Sequence, residues 1–300
     1  MSGISGSTRM CCLFGDPVEH SKSPMLHNTA FEKTGLNYAY LAFDIKAENI
    51  KDAVEAARAL NFAGFNLTMP HKITVMDYLD KLDPAAELIK TVNTVRNDNG
   101  VLTGFNTDGY GMMKAFREHG ATIEGKKMVL MGIGGAGTSV AVQGALDGLH
   151  ELVVFSPKGG KSWEAAERRI ARINENTACK ASLFDSADLK ALREQLADSD
   201  LLANCTPIGM GSRIGQTPIP DASYLHQNLI VQDAIYSPEE TELLRLAKQI
   251  GCTAFNGLEM LFYQGAKAFE IWTGQKMPLT PEILPVSYTH LRAHETGRNL

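Results

Sequence analysis

The chain has 300 residues, 44% of them hydrophobic and 21% charged, with a formal net charge of -5, which suits a globular protein of one large or two ordinary domains. The acidic balance argues against a nucleic-acid partner, and no apolar run reaches membrane-spanning length. Residues 1–9 lack a signal-peptide core, and five scattered cysteines without a CxxC spacing argue for reduced thiols in a cytoplasmic protein and against a metal site.

Residues 10–14 read as a first strand, ended by Gly15-Asp16-Pro17. Ser23-Pro24 opens a helix to about Thr34, with Pro24 at its first position. A strand over 38–45 is followed by helical periodicity over 50–60, and a strand over 62–67 stops at Met69-Pro70, with a helix starting near His71. Asp83-Pro84 opens a short helix, and strands at 91–96 and 101–105 flank the turn Asn97-Asp98-Asn99-Gly100.

From residue 127 strand and helix alternate: 127–131 with 136–148, then 151–155 with 162–174, a short strand near 180–184, and helix 188–197. Strands at 200–204 and 229–233, a helix over 240–250 and a long helix over 257–273 complete the pattern. Such alternation implies parallel strands with crossover helices, a doubly wound sheet. Two α/β layers joined near residues 105–110 predict a cleft between them, where ligands usually bind. The segment 286–300 has no sustained apolar period and reads as a disordered, vector-derived or frame-shifted tail outside the fold. His290 and His294 within it have metal-compatible spacing only if helical, and a disordered tail is the preferred reading.

The run Met131-Gly132-Ile133-Gly134-Gly135-Ala136-Gly137-Thr138 sits between a strand and a helix, the context in which GxGxxG marks a dinucleotide site. Gly132 allows the tight turn, Gly134 lets backbone approach a diphosphate, and Gly137 lets helix pack on strand. The N–H groups and dipole of the helix start then receive the phosphates. A glycine turn that binds nothing is the alternative, and the flanking strand and helix weigh against it.

Four clusters in the first half carry hydroxyls, amides and one Lys/Asp pair. They are His20-Ser21-Lys22-Ser23-Pro24, Asn66-Leu67-Thr68-Met69-Pro70-His71-Lys72, Val92-Asn93-Thr94 and Asn106-Thr107-Asp108-Gly109. Each falls at the end of a predicted element. Each alone has a plain structural reading: Ser23 as a helix cap, Lys72 as a solvated surface residue.

Taken in order with Gly132 to Ala136, Asn-x-Thr-Pro-x-Gly-Met over 204–210 and Gly-Leu-x-Met-Leu-x-x-Gln-Gly-Ala over 257–266, these clusters resemble the shikimate dehydrogenase family, nearest its quinate/shikimate branch. The resemblance runs from about residue 10 to 284 and implies two α/β domains: an N-terminal substrate domain, 1–108 plus 257–285, and a doubly wound Rossmann-type NAD(P) domain, 109–256. It implies Lys72 and Asp108 as the catalytic pair. Ser21 and Ser23 would hold a substrate carboxylate, with Tyr236 lining that side. Asn66, Thr68, Asn93, Asp108 and Gln264 would bind ring hydroxyls, and Tyr40 joins the substrate set. The cofactor set would be Gly132, Ile133, Gly134, Gly135 and Ala136, then Ser156, Lys158 and Gly159, then Asn204, Thr206 and Pro207, with Ala234, Ile235 and Gly257.

The chemistry explains those residue types independently. Reduction of a ring ketone needs a hydride on carbon and a proton on oxygen, and a Lys ammonium both polarises the carbonyl and donates the proton. Asp108 would hold that ammonium and balance its charge. A polyhydroxylated acid calls for short neutral donors and acceptors, which Ser, Thr, Asn and Gln provide. No cluster has metal-ligand spacing.

Two departures from the family pattern stand out. Glu259 occupies a position where relatives often carry glycine, and the second cofactor-domain strand ends Ser156-Pro157-Lys158-Gly159-Gly160. No acid stands there to bind a ribose 2′-hydroxyl and repel a 2′-phosphate, while Lys158 and Lys161 add positive charge without an Arg. Use of both NAD and NADP is the expectation. The resulting reading is a cytoplasmic oxidoreductase, monomer or homodimer, that interconverts 3-dehydroshikimate and shikimate and also 3-dehydroquinate and quinate. A non-catalytic sensor of the same compounds is the alternative from another class, and another cyclic-polyol acid dehydrogenase the alternative among enzymes.

Overall fold

The computed structural model describes residues 4–278 together with 280 and 283. The tail expectation for 286–300 lies outside these residues. The chain divides into two compact units, Met1–Thr107 with Gln264–Leu300, and Asp108–Tyr263.

The first unit contains β1 (Arg9–Gly15), α1 (Ser23–Thr34), β2 (Tyr38–Asp44), α2 (Ile50–Ala59), β3 (Gly64–Leu67), β4 (Lys81–Leu82), α3 (Pro84–Ile89), β5 (Thr94–Asp98) and β6 (Val101–Phe105). Its six strands order β2-β1-β3-β5-β6-β4. Strands β2, β1 and β3 run parallel, and β5 pairs antiparallel with both β3 and β6. The core gathers Cys12, Phe14, Phe65 and Leu67 from the sheet with Ile50, Val54 and Ala57 of α2. Those three helix residues recur at the i, i+4, i+7 spacing of one buried stripe. The β5–β6 hairpin turns at Asn99 and Gly100, whose φ values of 53° and 95° are the pair of left-handed residues that a two-residue turn demands.

Three local expectations need correction. The helix foreseen near His71 is a turn followed by a 3-10 helix, Thr74–Tyr78. His71 is buried with Nε2 2.7 Å from the Ile45 carbonyl oxygen, and the five residues that follow are too few to propagate an α-helix. Strand β5 begins at Thr94 rather than 91, because the Val92 N–H donates to the Lys72 carbonyl outside the ladder. Helix α1 starts at Ser23, so Pro24 stands second and Lys22 holds the cap position without a side-chain bond. Ser23 is therefore not a cap.

The second unit contains α4 (Asp108–Glu118), β7 (Lys127–Met131), α5 (Gly135–Leu146), β8 (Glu151–Ser156), α6 (Gly160–Asn176), β9 (Lys180–Asp185), α7 (Leu189–Leu196), β10 (Leu201–Asn204), β11 (Ile230–Asp233), α8 (Glu242–Ile250) and β12 (Thr253–Phe255). Its sheet is wholly parallel in the order β12-β11-β10-β7-β8-β9, the expected doubly wound arrangement. Strands covered on both faces need continuous rather than alternating apolar sequence. Met128 to Met131 and Leu152 to Phe155 meet that demand, with every side chain buried. Helix α9 (Leu258–Thr273) follows, and from Gln264 onward it belongs to the first unit. There the Trp272 Nε1–H donates to the Val95 carbonyl at 2.9 Å across a Gly64 that leaves room for the indole.

Candidate active site

In the first unit the polar residues singled out from sequence form a connected array at the carboxyl ends of β3 and β6 and the amino end of β5. The Tyr40 hydroxyl donates to Asn66 Oδ1 at 2.7 Å, and Asn66 Nδ2 donates to Thr94 Oγ1 at 3.0 Å and to the Asn93 carbonyl at 3.1 Å. Asn93 Nδ2 donates to Thr107 Oγ1 at 3.0 Å, and the Thr107 N–H donates back to Asn93 Oδ1 at 2.8 Å. The Thr107 hydroxyl reaches Gln264 Oε1 at 3.5 Å. Tyr40, Asn66, Asn93 and Thr107 are buried, so each amide is held in one orientation.

Tyr40 is itself braced. Its backbone N–H and carbonyl pair with both ends of the Asn28 amide at 2.8 Å each, and the His27 ring stacks on the phenol with centroids 4.5 Å apart. Burial drives the His27 pKa down to about 3, so this packing ring stays neutral. Ser21 Oγ accepts the Ser23 N–H at 3.2 Å. Thr68 and Lys72 lie half-buried in the segment after β3, and the Lys72 carbonyl accepts the Val92 N–H at 2.8 Å. Sequence reading missed Thr94, Thr107, His27 and Asn28. Thr94 and Thr107 fell inside quoted motifs, so adjacency was a usable sign.

In the second unit Asp108 is the first residue of α4, and Gly109 must be glycine because a Cβ there would stand 2.1 Å from the Ser139 carbonyl oxygen. Tyr236 follows β11 with 46% exposure. The glycine turn has the geometry foreseen for it. Gly132 has φ 86°, in the left-handed region, and a Cβ on Gly137 would meet the Gly132 carbonyl oxygen at 2.1 Å. Gly134 and Gly135 face open space, where an added Cβ would meet nothing within 4 Å. Ala136 is exposed beside them and Ile133 is buried. A turn with open glycines before the first N–H groups of a helix fits the diphosphate of a dinucleotide.

The surrounding loops are tied to one another. Asn204 Nδ2 donates to Asp233 Oδ1 at 3.0 Å, and Asn204 Oδ1 accepts from both the backbone N–H and the hydroxyl of Thr206. Asp233 also accepts from the Ile235 N–H at 3.0 Å and the Thr241 hydroxyl at 2.7 Å. Burial raises the Asp233 carboxyl to about 6 against these favourable bonds. Asn204 thus braces loops, with its side chain engaged inside the protein. Pro207 is exposed nearby, and Gly257 packs so tightly that a Cβ would lie 2.0 Å from the Ala234 carbonyl oxygen.

At the end of β8, Ser156 is buried, while Lys158, Gly159 and Lys161 are exposed. An acid stands beside this loop on the neighbouring strand. Asp185, in register with Ser156, accepts the Lys158 N–H at 3.2 Å and the Ala187 N–H at 3.0 Å. The lack of an arginine is likewise a local truth only, since Arg169 of α6 reaches the Ile133 carbonyl at 2.9 Å. Glu259, the departure at a common glycine position, is buried with Oε1 3.0 Å from His119 Nε2, and His119 stacks on Phe255 at 3.8 Å between centroids. Among the described residues, no cluster of three or more His, Cys, Asp or Glu could hold a metal ion, and no helix is long and apolar enough to cross a membrane.

Comparison with known proteins decides the family. The model for the shikimate dehydrogenase substrate binding domain matches residues 13–95, and that for the shikimate 5′-dehydrogenase C-terminal domain matches 257–281. The chain is 48% identical over 276 residues to a shikimate dehydrogenase (NADP(+)) of Listeria monocytogenes, covering 92% of this chain and 94% of the relative. This chain belongs to the shikimate dehydrogenase family. It is also 41% identical to a quinate/shikimate dehydrogenase of Escherichia coli, over 92% of this chain and 96% of the relative. The crystal structure of shikimate 5-dehydrogenase from Listeria monocytogenes in complex with shikimate and NAD superposes with a TM-score of 0.90 at 46% identity, covering 98% of this chain and 99% of that one. As a member of the family the chain is an NAD(P)-linked oxidoreductase with a Rossmann-type unit.

Proposed function

We propose that this protein interconverts 3-dehydroshikimate and shikimate, and 3-dehydroquinate and quinate, using either NAD or NADP. The observation that carries the reading is the array Tyr40–Asn66–Asn93–Thr107–Gln264, a fixed set of neutral donors and acceptors suited to ring hydroxyls. Ser21 and Ser23, beside the start of α1, take the carboxylate, with Tyr236 on that side, and Thr68 adds a hydroxyl. The first unit holds the substrate and the second the cofactor.

When bound to the second unit, a nicotinamide cofactor would supply the hydride. Lys72 polarises the ring carbonyl and gives its oxygen a proton as the C=O bond becomes a C–O bond; in the oxidative direction the neutral amine takes the alcohol proton. Asp108 accepts from a ring hydroxyl and stabilises the ammonium of Lys72. The small-molecule substrate is the main partner, with the chain acting in the cytoplasm as a monomer or homodimer. The five cysteines are free thiols and four of them are buried, which suits a reducing compartment.

The test crosses shikimate and quinate with NAD+ and NADP+ and follows the absorbance of reduced cofactor. Turnover of shikimate with either cofactor is the expected result. Binding of shikimate without turnover would instead identify a sensor, and neither binding nor turnover would remove the reading.

A further inference from the structure

The Ile133 carbonyl oxygen accepts a side-chain hydrogen bond from another element. Arg169 Nη1 of α6 donates to it at 2.9 Å across 36 residues of sequence, while the Thr138 hydroxyl of α5, 3.2 Å from the same oxygen, gives its single proton to the Gly134 carbonyl at 2.6 Å. Thr138 and Ile133 are buried and Arg169 is half-buried, so this carbonyl is fixed on the protein side of the turn.

In a trans peptide the carbonyl and the following N–H point in opposite directions. Fixing the Ile133 oxygen inward therefore turns the Gly134 N–H outward. Gly134 and Gly135 are exposed, and a Cβ on either would meet nothing within 4 Å, so this stretch of the turn is open. A glycine turn without such a clamp samples many peptide orientations, since glycine is conformationally permissive.

We infer that Arg169 is the positioning residue that orients the Ile133–Gly134 peptide so that its N–H meets the cofactor diphosphate. This rests on the dinucleotide reading of the second unit. Two facts add to it. Among the described residues Arg169 is in no ion pair, and burial together with the charges of Arg172 and Arg168 holds its pKa below the ordinary guanidinium value. A half-buried cation with two like-charged neighbours is one that a nearby anion relieves. The diphosphate is common to NAD and NADP, so the effect must be the same for both.

The experiment measures Kd for NAD+ and NADP+ with wild type, Arg169→Met and Arg169→Lys. Arg169→Met should weaken both nucleotides by a common factor of about tenfold, the size of a hydrogen bond to a charged group. Arg169→Lys should recover most of that affinity, because one N–H suffices for one carbonyl. Turnover at saturating cofactor and the KM for shikimate should stay within roughly twofold, unlike the outcome of a general structural defect. Arg169→Gln, polar but too short to replace the bond from Nη1, should show the same common loss and serves if Arg169→Met does not fold. Unchanged affinity in both variants overturns the inference, as does a loss confined to NADP+, which would mean direct contact with the 2′-phosphate. Failure of the wild type to bind either nucleotide overturns the dinucleotide reading itself and the inference with it, whereas normal binding by wild type and variants overturns the inference alone.

Discussion

Gly137 approaches Gly132 so closely that a Cβ on it would stand 2.1 Å from the Gly132 carbonyl oxygen. The contact fixes the start of α5 against the end of β7, and backbone on both sides leaves no flexible group to give way. Gly137→Ala should destabilise the second unit by about 1–3 kcal/mol, as overpacking does, and weaken both nucleotides. A thermal melt with a nucleotide titration checks this; a wild-type melting temperature would mean that helix and strand separate freely.

Lys72→Ala should lower turnover on the order of 10²-fold or more, the usual loss of a positioned acid/base, with a smaller change in shikimate affinity. The bond from Val92 to the Lys72 carbonyl survives this substitution, so the loss should not be one of folding. Asp108→Asn should impair both binding and turnover through loss of its charge. Steady-state kinetics with a near-wild-type kcat for Lys72→Ala would remove that residue from the reaction.

Tyr40→Phe removes the donor to Asn66 Oδ1 at 2.7 Å while leaving the stacked ring in place. Stability should fall by about 1–2 kcal/mol, because a buried acceptor loses its partner. Freed to rotate, the Asn66 amide should also raise the KM for shikimate several-fold at nearly constant kcat. The same KM as wild type would show that Asn66 is held by its other bonds alone.

On the proposed cofactor reading, Lys158 and Asp185 pull cofactor choice in opposite directions. The exposed lysine favours a 2′-phosphate, and the carboxylate that accepts its backbone N–H opposes one. Efficiencies for NAD and NADP should therefore lie within about two orders of magnitude, roughly 2–3 kcal/mol. Lys158→Ala should lower kcat/KM for NADP more than for NAD, and Asp185→Asn should shift the ratio towards NADP. Equal effects on both cofactors would place these side chains away from the ribose.

Asp233 gives stability a pH signature. Its carboxyl is raised from an ordinary value of 3.8 to about 6 by burial, so the folded protein holds the proton more tightly than the unfolded chain. The associated stability is fully present below about pH 4 and is lost as pH rises through about 6, amounting to at most about 3 kcal/mol. Asp233→Asn should flatten this component between pH 4 and 6 in chemical denaturation. An unchanged slope would mean that another group carries it.

What was legible from sequence was whatever is written in consecutive residues. Buried parallel strands such as Leu152 to Phe155, the Asp83 cap on α3, and the three glycines of the turn each follow from local pattern. The missed contributors act across long separations. Arg169 meets Ile133 over 36 residues, Asp185 meets Lys158 over 27, and Asp233 meets Asn204 over 29. Nothing in a segment's own periodicity reports which partner a sheet will bring beside it. The helix foreseen at His71 failed for a related reason, since His71 is engaged by Ile45 from another element.

The bond between Asn204 and Asp233 joins the residues that close β10 and β11, and each also anchors the chain that leaves its strand through Thr206 and Ile235. Two loops that look separate along the chain are thus one mechanical part. Neither can swing without breaking a buried bond, so they open together or not at all. In hydrogen exchange the amides of Thr206 and Ile235 should share one protection factor and one response to a bound nucleotide.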